Sequence, residues 1–120
     1  MGGGAGGGGF NGTRGSTIRI SEKKMHQVGK HFNKHGREMG FKSITEYDNA
    51  AKTFAREAQL NPNSEIYQGR WTGRGMYHDK VQRIITYDGN TVIIDPHTGQ
   101  IIDFYRGSDY RGIIDIEQLR

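Results

Sequence analysis

The hydrophobic period changes once along this chain, near Asn61-Pro62-Asn63, and that change fixes the class of fold open to it. Before it, apolar residues recur at three- and four-residue steps, the spacing of one helix face. After it, β-branched and aromatic runs alternate with turn residues, as in strands joined by hairpins. Helices first and a hairpin-connected sheet afterwards specify an α+β domain with an antiparallel sheet.

The first helix is predicted from an N-cap at Ser21 to about Arg37, with Met25, Val28 and Phe32 as its buried stripe. Gly36 and Gly40 offer places to end it. A second begins at the capping box Ser43-Ile44-Thr45-Glu46 and buries Tyr47, Ala50, Ala51, Phe54, Ala55 and Ala58. Strands are expected at Ile66-Tyr67, Val81 to Tyr87, Thr91 to Ile94, Ile101 to Tyr105 and Ile113 to Ile116. Asp88-Gly89 is a favoured hairpin turn, and Asp95-Pro96-His97-Thr98-Gly99 a longer one. Strict alternation in the fourth strand would put Ile101, Asp103 and Tyr105 on one face and Ile102, Phe104 and Arg106 on the other.

Residues 1–15, almost all glycine at their start, read as a flexible tether ahead of a domain over 16–120. No later stretch is apolar and long enough to span a membrane. Cysteine is absent, which excludes disulfides, thiolate metal sites and cysteine nucleophiles. The net charge of +4 is unevenly spread: residues 1–42 carry eight lysines and arginines against Glu22 and Glu38. A positive field concentrated there suits a polyanion, and equally a solvated basic helix face.

Within that basic stretch lies Lys30-His31-Phe32-Asn33-Lys34-His35. On a helix, His31 and His35 share a face. Histidine takes and gives protons near neutrality, so the pair are candidates for the base and acid that attack of a ribose 2′-hydroxyl on phosphorus needs. The same spacing suits a metal, but Phe32 stands where a hydrolytic zinc motif has glutamate. Lys34, Arg70, Arg74 and Arg106 are candidate phosphate ligands, and Tyr105 a supporting group. Trp71 has two readings, a core anchor or a platform for an unpaired base. Asp103 would orient a histidine or, more simply, pair with an arginine. His26 and His97 read as surface residues, and His78 lies in an undefined segment.

The run Lys30 to Gly40, followed by Ser43, Glu46-Tyr47, Ala50 and Phe54, resembles the N-terminal helices of ribonuclease toxin domains of the barnase/EndoU/colicin/RelE-like group. The closing segment Gly99 to Tyr105 is similar to the strand that often ends those domains, although they commonly carry threonine or serine where this chain has Asp103. The resemblance implies two helices packed on a four- or five-stranded antiparallel sheet. It implies cleavage of RNA to a 2′,3′-cyclic phosphate without metal or other cofactor, with transfer RNA or another structured RNA as substrate. It further implies secretion or delivery as part of a larger protein of a polymorphic or contact-dependent toxin system. Action would be in the target-cell cytoplasm, with neutralisation by a cognate immunity protein.

The resulting expectation is an endoribonuclease. Its rival is a non-catalytic nucleic-acid-binding module that uses the basic helix 21–42.

Overall fold

The structure, a computed structural model, describes residues 16–120; the expected tether over 1–15 lies outside the described residues. The fold is α+β, with two N-terminal helices packed against a five-stranded antiparallel sheet. Helix α1 (Val28–His31) runs directly into a π-helical turn (Phe32–Gly36), and helix α2 spans Ile44–Leu60. The strands are β1 (Glu65–Trp71), β2 (Val81–Tyr87), β3 (Asn90–Ile94), β4 (Ile101–Arg106) and β5 (Ile113–Gln118). Their order in the sheet is β4-β3-β2-β1-β5, so β4 and β5 are its edges.

Helix α2 starts as its capping box requires. Ser43 has extended backbone and its hydroxyl accepts the Glu46 N–H at 3.1 Å, while the Glu46 carboxylate reaches back to the Lys42 N–H at 2.8 Å. Its small-residue face lets the helix sit close to the sheet: Tyr47, Ala51 and Ala55 have no exposed surface. They pack with Ile66, Ile85, Val92, Ile94, Ile101 and Phe104. The Tyr47 hydroxyl donates to the Phe104 carbonyl and ties the helix to β4. The other face of the sheet carries a second cluster built on Tyr77, Ile84, Ile93, Ile102, Tyr105 and Ile113.

The first helix begins at Val28, not after Ser21. The backbone N–H groups that would start an earlier helix are used elsewhere. Met25 donates to Asp48 Oδ1 at 2.8 Å, and His26 donates to the Ile101 carbonyl at 2.9 Å. Gln27 then adopts a left-handed conformation, which a helix cannot continue through. Residues 20–26 instead form a strap along the β4 edge, where Ser21 N–H also bonds the Gly99 carbonyl at 2.9 Å. Such cover hides an edge that would otherwise pair with another chain. Of the two candidate terminators, Gly40 takes the positive φ of 95°, whereas Gly36 is buried within the turn.

The register of β4 departs from strict alternation. Ile93 pairs with Asp103 but Ile94 pairs with Ile101, so Ile102 is an extra residue. This bulge puts Ile101 with Phe104 on the α2 side, and Ile102 with Tyr105 on the other. The expected grouping of Ile101 with Asp103 and Tyr105 is therefore broken by one residue.

Candidate active site

The strap, α1 and the π-turn carry three histidines past the bulge of β4. His31 and His35 lie with ring centroids 6.3 Å apart, and His26 lies 6.5 Å from His31. The π-turn closes with the Arg37 N–H on the Phe32 carbonyl at 3.0 Å, an i to i+5 bond that widens the helix where His35 projects. Phe32 and Gly36, on the same turn, are buried and hold it against the core.

Asp103 stands between the two histidines. Its Oδ1 is 3.7 Å from His31 Nδ1, and its Oδ2 is 3.6 Å from His35 Nε2. One carboxylate oxygen also accepts the Phe104 N–H at 2.8 Å, which fixes the side chain. The simpler expectation, a pair between Asp103 and an arginine, is overturned: the bulge turns this carboxylate toward the histidines. His31 Nδ1 is buried without a hydrogen-bond partner among the described residues.

Burial dominates the electrostatics. It lowers the pKa of His31 to about 4, with His26, Lys30 and Lys34 adding to the fall. It lowers His35 as well, although Asp103 pulls that pKa back up. Burial raises Asp103, opposed chiefly by His35. Burial thus disfavours the charged form of both His35 and Asp103, and each partly offsets that effect on the other. An incoming phosphate would favour the charged form of each histidine and offset the effect of burial.

These groups face a cleft of about 560 Å³. Exposed Lys30, Lys34 and Arg74 stand on its rim, and Trp71, Tyr77 and Gln82 line its far side. Of the predicted residues, the fold brings His31, His35, Lys34 and Arg74 together there. Tyr105 packs against His35 with ring centroids 5.3 Å apart and the planes tilted by 37°, but its hydroxyl donates to the Asp109 carbonyl at 2.6 Å and burial raises its pKa. It supports the imidazole as a packing surface. Arg70 is held by Asp79 and Asp115 and does not line the cleft. Arg106 is exposed at the end of β4, on the opposite face from Tyr105. Trp71 is half-buried, with its indole N–H donating to the Arg74 carbonyl at 3.3 Å.

His26, read from sequence as a surface residue, is a member of the cluster. Its ring meets Tyr77 edge-on at 5.0 Å, and burial lowers its pKa. The continuous helix expected from Ser21 concealed this, because it put His26 away from the face shared by His31 and His35. His97 and His78 are exposed, and the His78 ring contacts the Gly73 carbonyl. A larger cleft, about 690 Å³, lies between residues 16–22 and the 96–99 turn and contains none of the predicted site residues. Among the described residues no group of three His, Asp or Glu side chains is placed to share a metal ion.

No protein-family model, curated protein or solved structure matches this chain. The functional reading therefore rests on the cleft. It combines a neutral imidazole, a histidine–carboxylate pair and three cations, which are parts suited to moving protons beside a phosphate.

Proposed function

We propose that this chain is a metal-independent endoribonuclease, a toxin domain of the kind its histidine segment resembles. The observation that supports this most is the meeting of His31, His35 and Asp103 in one cation-rimmed cleft. Lys30, Lys34 and Arg74 hold the scissile phosphate. His31, neutral at any pH well above 4, takes the proton of the ribose 2′-hydroxyl as the O2′–P bond forms. His35, which Asp103 favours in its charged form, gives a proton to the departing 5′-oxygen as the P–O5′ bond breaks. The products are a 2′,3′-cyclic phosphate and a free 5′-hydroxyl. Transfer RNA in a target cell is the substrate this reading favours, and a cognate immunity protein would shield the cleft.

The test is total RNA incubated in EDTA with the wild-type protein, His31→Ala and His35→Ala. Fragments with cyclic-phosphate ends are expected from the wild type, with cleavage lowered about 10²–10⁴-fold in each variant. Full cleavage by both variants would overturn the assignment. Cleavage only after adding a divalent ion would redirect attention to metal chemistry. RNA that is bound but left intact would favour a binding module centred on the basic segment 21–42.

A further inference from the structure

Gln82 is 3% exposed and its side-chain amide makes no hydrogen bond among the described residues, but its nitrogen and oxygen still reach solvent, the one sealed and unpartnered side-chain atom there being His31 Nδ1. It lies on β2 opposite Gly69, on the sheet face that carries Ile84, and it lines the cleft that holds the histidines. Its open donors and acceptor therefore face the cleft, where solvent or a ligand can satisfy them.

Trp71 forms the adjoining wall. A Cβ on Gly73 would come within 2.2 Å of its ring, and one on Gly112 within 2.4 Å. Those two glycines therefore let the backbone pack close against the indole, Gly73 by its Cζ2 and Gly112 by its Cζ3, and hold its orientation. A rigid, half-exposed aromatic face beside an unpartnered amide is the pairing that receives a base: stacking from one, edge hydrogen bonds from the other.

We infer that Trp71 and Gln82 form a nucleobase pocket that makes the protein selective for the base beside the phosphate. The amide presents a donor and an acceptor side by side, so it reads a base edge that offers the complement. Adenine, with N6–H beside N7, is the bidentate partner of glutamine. The inference rests on the ribonuclease reading for its substrate class, but its test does not need cleavage.

Trp71 is the sole tryptophan of the chain, so its fluorescence reports on the pocket directly. The four nucleoside 3′-monophosphates and inorganic phosphate are titrated against the wild type, Gln82→Leu, Gln82→Glu and His31→Ala. Expected is quenching by nucleotides but not by phosphate, with one base bound about 5- to 150-fold more tightly than the weakest. Gln82→Leu should equalise the four bases. Gln82→Glu, which keeps the shape but loses the donor, should reduce or reverse the preference, and His31→Ala should retain it.

Equal binding of all four by the wild type, or a preference that survives in Gln82→Leu, would overturn the inference. Quenching by phosphate alone to the same extent would do the same. Base-blind binding by a protein that still cleaves RNA leaves the ribonuclease reading standing. Selective, Gln82-dependent binding without cleavage supports the pocket and counts against the reaction.

Discussion

At the scale of single residues, the position of each proton decides what the cleft does. His31 binds its proton more weakly in the folded chain, with a pKa of about 4 against 6.5 for a free histidine. Between those values the unfolded chain takes up more protons, so this contribution to stability is complete above pH 6.5 and is lost as pH falls toward 4. His26 and His35 are shifted in the same direction. Asp103, raised above 3.8, acts oppositely: its contribution is present at low pH and lost as pH rises through its folded pKa. Melting temperatures recorded from about pH 7 to pH 4 should fall less for His31→Gln than for the wild type. An equal fall would mean that His31 is not the source. Asp103→Asn should lower the pKa of His35 and move the pH optimum of RNA cleavage downward, with a reduced maximum rate; an unmoved optimum would remove Asp103 from the proton path. The histidine pair was legible in the sequence because its spacing is local. That Asp103 faces the histidines was only one of two readings of the sequence, because it depends on a bulge that no residue in the run Ile101-Ile102-Asp103 announces.

At the scale of elements, the first helical segment is where local rules and tertiary demands diverge. Periodicity located Phe32 in the core correctly, but it extended the helix across Met25 and His26, whose N–H groups bond to Asp48 and Ile101 instead. Those partners lie far along the chain, and a local pattern carries no trace of them. Helix α2 was readable to its cap, since Ser43 and Glu46 act within one turn. Two substitutions separate these elements. Gly36→Ala would bring a Cβ within 2.6 Å of Phe32 Cδ1 and 2.9 Å of Tyr47 Cδ1, both on buried rings. A loss of about 1–3 kcal/mol by urea denaturation is expected, together with lower activity as the π-turn shifts His35. Ser43→Ala should cost about 1 kcal/mol and leave cleavage unchanged, since the cap does not line the cleft. If Gly36→Ala proves as mild as a surface change, the π-turn is not held by this contact.

At the scale of the whole molecule, charge and chain order matter most. The positive field of the first 42 residues reaches the cleft through Lys30 and Lys34, whereas Arg70 is occupied by Asp79 and Asp115. Binding to single-stranded RNA should weaken with salt. The combined Lys30→Ala and Lys34→Ala change should flatten the log–log slope by about 0.7 for each phosphate that is no longer neutralised. Arg70→Ala should leave that slope unaltered; a drop as large as that of the lysines would bring Arg70 into the binding surface. The succession of helices and strands was visible from the change in hydrophobic period, because each element carries its own pattern. The cleft was not, because its walls come from the strap, the loop after β1 and the bulge of β4. That dispersal has a consequence in time. The histidines precede the carboxylate they face by most of the folded sequence, so a chain emerging from a ribosome presents them long before Asp103 exists. Until β4 arrives and pairs with β3, these imidazoles are ordinary solvated side chains in a nascent chain. A cell making this protein would thus meet the assembled cleft only once β4 has been made, a delay set by the order of the residues themselves.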